Sequence, residues 1–321
     1  MRSLLAILNV LGATLALFAI YYVLPVATAL VYGESQELNA FLTCAGFTLG
    51  TGLLLLLVTR RYRAELKPRD GYLLVSLSWL AITVTAAVPF MLTAPGLSFT
   101  DAFFESMSGL STTGSTVITG LDSLPHAVNL WRHALHWIGG MGIIVLAVAV
   151  LPLLGVGGMQ AYRAETPGPV KDAKLTPRIT ETAKALWMVY AGMSAVCIVA
   201  LWAAGMSPFD AICHGFSVMA LGGMSTHDAS VGWFDSPLIE AVMILFMLLA
   251  AVNFATHFMA LRKGSLEPYR RDPEARWMLV WLGTSLIALT AVVYAAGLYP
   301  DLPSTLRHTT FTIITLATTS G

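Results

Sequence analysis

Charge is what this sequence has least of. Asp, Glu, Lys and Arg make up 11% of its 321 residues, and 56% of the chain is hydrophobic, whereas soluble domains carry about 25% charged residues. That balance excludes an ordinary water-soluble domain and makes the lipid bilayer the first partner to consider. Formal net charge is zero, so global charge gives no argument for nucleic acid, and no nucleic-acid partner is expected. Cysteine is scarce too. Cys44, Cys197 and Cys213 all fall in apolar segments without CxxC spacing, which supports neither a disulfide framework nor a zinc site and leaves them as small core residues. No serine stands in a GxSxG context, and Gly109-Leu110-Ser111-Thr112-Thr113-Gly114 misses it by one residue. A nucleophile elbow is therefore absent, His227-Asp228 has no nucleophile to serve, and neither an enzyme nor a catalytic residue is expected.

What the chain does contain is long uncharged runs, at about 4 to 32, 38 to 59, 71 to 93, 129 to 154, 185 to 205, 237 to 261 and 277 to 299. Each is near the roughly 20 residues that span hydrocarbon as a helix. The first run, with Arg2 ahead of it and Ala27-Thr28-Ala29 near its end, has the look of a secretory signal, but its apolar part exceeds the roughly 7 to 15 residues of a signal core. Gly46, Gly50 and Gly52 in the second run form a small-residue face suited to close helix packing.

Between the spans lies a repeat. Asp101 to Pro125 is an apolar half-helix too short to cross a bilayer, running into a hydroxyl-rich turn at Thr112-Thr113-Gly114. A second copy occupies Asp210 to Pro237 and turns at Gly222-Gly223, with the interval from Asp101 to Gly114 repeated from Asp210 to Gly223. A third short apolar segment, Pro303 to Leu316, runs into Ala317-Thr318-Thr319-Ser320-Gly321. The expected fold is an all-α polytopic membrane protein of two leading helices and then repeated helix, pore-helix, filter-loop, helix units. The expected parts are residues 1–70 (two helices and a basic connector), 71–160 (first pore unit), 161–184 (linker), 185–263 (second pore unit) and 264–321 (partial third unit).

Charge distribution sets the orientation. Arg2 and five basic residues in each of three connectors fall on one side, with only Arg132 and Arg307 among the 18 Lys and Arg on the other. By the positive-inside rule the N-terminus and connectors are cytoplasmic, and the loops enter from the outer face.

Non-helical backbone at membrane depth is tolerated only where protein buries it or where it lines an aqueous cavity. Carbonyl and hydroxyl oxygens repeated around an axis can replace the hydration shell of a monovalent cation. Thr112, Thr113, Ser115 and Thr116, with Thr318, Thr319 and Ser320, supply hydroxyls. Gly114, Gly222, Gly223 and Gly321 give the backbone freedom to aim carbonyls inward. Each half-helix turns a C-terminus carrying about half a negative charge toward its loop. No acidic ring lies in the loops; Glu105 sits upstream and Asp228 beyond the second loop, which disfavours a divalent-selective filter. His133 and His136, three apart beside Arg132, are read as polar residues near a helix end rather than metal ligands.

These motifs carry a resemblance. Ser111-Thr112-Thr113-Gly114-Ser115-Thr116 with Gly120-Leu121-Asp122-Ser123-Leu124-Pro125, then Gly222 to Ser230, then Thr318-Thr319-Ser320-Gly321 resemble the first three filters of the TrkH family of bacterial Trk potassium-uptake systems, in the TrkH/TrkG/KtrB superfamily. The resemblance implies two leading helices and four pore units, with potassium held by carbonyls just before Gly114, Gly223 and Gly321. That puts the candidate filter at Thr112, Thr113, Gly114, Leu221, Gly222, Gly223, Thr318, Thr319, Ser320 and Gly321. It further implies potassium as the transported ion with no other cofactor, a homodimer for the full-length protein, a cytoplasmic nucleotide-binding regulatory partner of the TrkA type, and a multi-pass location in the bacterial inner membrane with a cytoplasmic N-terminus. Against the family plan, the second helix of unit three and all of unit four would be missing, and with them the gating loop and its pore-facing arginine. The competing expectation is a secondary cation symporter with discontinuous helices.

Overall fold

A computed structural model describes residues 2–62, 68–94, 96–142 and 179–320. Among these every long regular element is an α-helix. They fall into two compact units, one of Met1–Ser111 with Ser115–Lys184 and one of Thr112–Gly114 with Ala185–Gly321. Among the described residues, five helices are long and apolar enough to cross a membrane, or six if one sharply bent pair counts as a span.

In the first unit α1 (Arg2–Tyr21) and α2 (Val23–Tyr32) together make the first span, parted at Tyr22. Pro25 contributes here, because its missing N–H leaves the carbonyl of residue 21 without its helical donor. Gly33, at φ 72°, ends α2, and α3 (Ser35–Thr59) returns antiparallel. α1 and α3 approach at Gly12 and Gly52: a Cβ on Gly52 would lie 2.7 Å from the Ala16 nitrogen. The glycine face expected from sequence is corrected here, since a Cβ on Gly46 or Gly50 would meet nothing within 4 Å. Gly12, on the opposite helix, completes the contact.

α4 (Pro68–Thr93) carries Pro89 inside it, which removes the donor that would have bonded the Thr85 carbonyl. The Tyr22 hydroxyl takes that place, donating to the Thr85 carbonyl oxygen at 2.9 Å. The Trp131 indole donates to the neighbouring Ala86 carbonyl at 3.1 Å. Tyr22 stacks on Trp131 at 4.6 Å between ring centroids and meets Phe18 edge-on at 5.6 Å, so the aromatic core of this unit is built around the proline-freed turn of α4. Trp131 belongs to α6 (His126–Gly140), which packs on the short α5 (Phe99–Leu110). The approach is close enough that a Cβ on Gly139 would strike the Leu110 carbonyl oxygen. The rest of the fourth expected span, residues 143–154, lies outside the described residues.

The second unit holds most of α7 (Ile179–Ala203), then α8 (Pro208–Ala220), α9 (Pro237–Ala251), α10 (Phe254–Lys263), the short α11 (Glu267–Arg271), α12 (Pro273–Ala295) and α13 (Leu302–Ala317). α7 begins inside the stretch expected as a linker. The sixth expected span is not one straight helix, because α9 and α10 meet at 93°. Val252 is extended and the Asn253 side chain accepts from the Ala255 N–H, starting a new helix without any proline. Lys263 and Arg271 both reach Glu267 across the third basic connector, where α11 adds a helical turn.

Tyr22→Phe removes the donor from the Thr85 carbonyl and leaves it buried without that bond. It should destabilise the protein by about 1–3 kcal/mol, read as a lower melting temperature in detergent, whereas a variant at exposed Leu57 should not shift it.

Candidate functional site

The three half-helices begin alike. Ser98 caps α5 in a reciprocal box with Asp101, its side chain accepting from the Asp101 N–H at 3.2 Å. Ser207 caps α8, its side chain accepting from the Asp210 N–H at 3.0 Å and donating to the Asp210 carboxylate at 2.7 Å. In α13 the two residue types exchange places: Asp301 caps and accepts from the Ser304 N–H at 2.7 Å. Those hydrogen bonds from Ser304 hold the Asp301 carboxyl below its ordinary range, so a negative charge stays at the helix N-terminus, where the dipole favours it. A helix of 13 residues, the length of α8, is about 20 Å long, well short of the roughly 30 Å of hydrocarbon.

They also end alike. Two residues before each expected filter glycine, the backbone turns through the left-handed region, at Thr112 (φ 56°), Leu221 (φ 54°) and Thr319 (φ 60°). α8 closes with Gly222 N–H on the Ser217 carbonyl and Leu221 N–H on the Val218 carbonyl; α13 closes with Ser320 N–H on Thr315 and Thr319 N–H on Leu316. This is the Schellman pattern, whose left-handed residue is usually glycine. Here a threonine or leucine occupies it at a cost of roughly 1–2 kcal/mol each, and the glycines come two residues later. Gly114 and Gly223 then have φ of 81° and 79°, which only glycine adopts without strain.

The loops are brought together within the second unit, which includes Thr112–Gly114. A Cβ on Gly114 would collide with the carbonyl oxygen of Gly222. The Thr319 hydroxyl donates to the Leu221 carbonyl at 3.3 Å. The structure therefore gathers Thr112, Gly114, Leu221, Gly222, Gly223, Thr318, Thr319 and Ser320 in one unit; Thr113 lies in the same loop, and Gly321 falls outside the described residues.

Behind each loop stands a different brace. In the first unit, the Thr116 hydroxyl donates to the Glu105 carboxylate at 2.9 Å and the Val117 N–H does so at 3.1 Å. Arg132 Nε donates to Glu105 Oε1 at 2.7 Å, and its Nη atoms reach Thr116 and Asn129 at 3.1 Å each. Both side chains of this ion pair are fully buried. Ser108 donates to the Ser115 carbonyl at 2.6 Å. In the second loop His214 Nε2 meets the Ser225 hydroxyl at 3.1 Å, and Thr226 donates to Asp210 at 2.7 Å. Glu105 and His214 each lie four residues after the repeated aspartate, so one repeat position holds the loop from behind with a carboxylate and the other with an imidazole. The third pore helix is tied differently, with Arg307 donating bidentately to Glu240 at 2.9 and 2.7 Å and to Asp235 at 3.0 Å.

From sequence, Arg132 and Arg307 stand out only as charges apart from the basic connectors, and Glu105 only as an acid upstream of the first loop. The signal for Glu105 and His214 was present in their shared register within the repeat. His133 bonds the Asn129 carbonyl of its own helix at 2.7 Å, and among the described residues no group of three or more His, Cys, Asp or Glu could hold a metal ion. His227 stacks on Trp233 at 4.3 Å and approaches Asp210 at 3.5 Å, while Asp228 is exposed.

Membrane-length helices alternating with half-helices, each turning through a strained residue toward a glycine loop, define a polytopic membrane protein of the pore-loop class. Residues 37–299 match the TrkH family, described as a cation transport protein, and the chain belongs to that family. It is 49% identical over 320 residues to the Trk system potassium uptake protein TrkH of Halomonas elongata, covering 99% of this chain and 66% of that protein. With its counterpart in Salmonella typhimurium it shares 48% identity, over 98% of this chain and 65% of the relative. The crystal structure of the potassium transporter TrkH from Vibrio parahaemolyticus matches with a TM-score of 0.87 at 41% identity, covering 99% of this chain and 65% of that one. The chain thus spans about two thirds of the length of these relatives.

Removing one member of the buried Glu105–Arg132 pair leaves the other as an uncompensated charge. Arg132→Met alone should cost about 3–5 kcal/mol, while the double change Glu105→Gln with Arg132→Met should recover much of that loss. Thermal melting of the single and double variants measures the difference.

Proposed function

We propose that this chain forms walls of a potassium-selective filter and that the protein it represents takes up potassium across the bacterial inner membrane. The observation that carries this reading is the threefold recurrence of a left-handed residue two positions before a filter glycine, with loops one, two and three in contact at Gly114, Gly222, Leu221 and Thr319. Strain repeated at equivalent positions is kept where the surrounding structure uses it. Its use here is to turn the chain so that the carbonyls of Thr113, Gly222 and Ser320 face an ion. The relatives carry potassium uptake in their names, which supports potassium as the transported ion.

Neutralisation of Glu105 by Arg132 supports a monovalent ion, because it leaves no free carboxylate behind loop one. The ion's attraction then comes from carbonyl dipoles and from half-helix C-termini.

A symporter with discontinuous helices finds its best feature in the 93° break between α9 and α10. That break is filled by its own side chains: His257 meets the Leu249 carbonyl at 2.8 Å, and Asn253 caps α10. It serves as a structural bend rather than an ion site.

The concentration of basic residues in the connectors supports a cytoplasmic N-terminus. Membership of the family supports a TrkA-type nucleotide-binding regulator on that face and a homodimer of the full-length protein.

In a chain carrying the full length of the relatives, Gly223→Asp should abolish potassium uptake, because a charged side chain would enter the ion path. Thr113→Val should alter potassium, rubidium and sodium fluxes far less, since the carbonyl stays. Uptake at the normal rate in the glycine variant, or equal loss in both, would overturn carbonyl coordination.

A further inference from the structure

We propose that a cavity of about 620 Å³ between α9, α11 and α12 binds one anionic phospholipid of the cytoplasmic leaflet. Its walls are chiefly apolar, from Leu245, Leu249 and Val252 on one side and Met278, Leu279 and Val280 on the other. Arg270 and Arg276 join the lining, and both are exposed. An apolar slot flanked by two guanidinium groups matches an acyl chain below a phosphodiester. Arginine presents a fixed fork of donors that suits phosphate oxygens.

The local charge is available to such a ligand. Between residues 262 and 276 five basic residues face three acidic ones. Of the acids, Glu267 is engaged by Arg271 and Lys263. Asp272 accepts from Thr256 at 2.8 Å and caps α12 through the Glu274 and Ala275 N–H groups. Glu274 is not part of the lining, and no ion pair joins it to Arg270 or Arg276 among the described residues. The two cavity arginines are therefore not consumed by their neighbours.

The depth in the membrane fits as well. Trp277 and Trp281 stand four apart on α12, 69% and 73% exposed, and exposed tryptophans mark the level where headgroups meet hydrocarbon. Arg276 is next to the first of them. A soluble phosphate would satisfy the arginines but leave the leucine walls wet, which is why the occupant is placed in the bilayer. The leaflet follows the orientation proposed above. Binding in detergent does not depend on that orientation or on potassium, so failure of one reading leaves the other standing.

The test is native mass spectrometry of the purified, delipidated chain titrated with phosphatidylglycerol or with phosphatidylcholine of the same acyl chains. One phosphatidylglycerol should remain bound, with phosphatidylcholine clearly weaker. Arg270→Gln with Arg276→Gln should weaken the phosphatidylglycerol adduct about thirtyfold, in line with the loss of two interfacial charges. Arg270→Lys with Arg276→Lys should retain most of it, and Leu249→Trp, which fills the slot but keeps both arginines, should lose it. Melting temperature in the same detergent identifies any variant that fails to fold, and the lysine pair keeps the test open if the glutamine pair does. Equal binding of the two lipids, no effect of the glutamine pair in a folded protein, displacement by millimolar inorganic phosphate, or a lipid-free dimer closing the cavity would each overturn the proposal.

Discussion

Non-helical backbone cannot sit in hydrocarbon with its N–H and C=O groups unmet, and the candidate site is the answer this chain gives to that constraint. Each half-helix must stop at depth and turn without leaving its backbone groups unbonded. The Schellman closures of α8 and α13 return Gly222 and Ser320 N–H groups to their helices, which directs the donors inward. The cost of a left-handed threonine or leucine at each turn is the consequence of reserving glycine for the position where loops one and two nearly touch.

A loop held from only one end would not keep its carbonyls aimed. The braces behind the loops supply the second hold, and they differ in chemistry because their surroundings differ. Glu105 needs a cation to be tolerable at full burial, and Arg132 provides it while also reaching Thr116. His214 needs no counter-ion to hold Ser225. Similar turns from non-identical residues are what repetition within a single polypeptide permits: each repeat is free to settle its own packing while the turn itself stays common.

Much of this was legible in sequence where one residue type has one physical use. The repeated Asp210 and the Gly222-Gly223 pair stand near the two ends of α8, so that half-helix lies where the repeat put it. Charge scarcity located five of the expected spans among the described residues. Features depending on a partner far away in sequence were not legible. Gly52 packs and Gly50 does not because of where α1 lies, and Gly12 was invisible as its partner. The Tyr22 hydroxyl has meaning only once Pro89 has freed a carbonyl on another helix. The break at Val252 carries no proline or glycine, so periodicity reads through it as one span. The left-handed turns fall on threonine and leucine, residues whose identities argue against that conformation.

The central claim is that backbone carbonyls, not side-chain carboxylates or imidazoles, take the ion. Crystals of the full-length protein soaked in rubidium give the most direct measurement, through the position of the anomalous scattering peak. The account predicts a peak bounded by the carbonyl oxygens of Thr113, Gly222 and Ser320. A peak beside Glu105, Asp210 or His214, with none among those carbonyls, would contradict it.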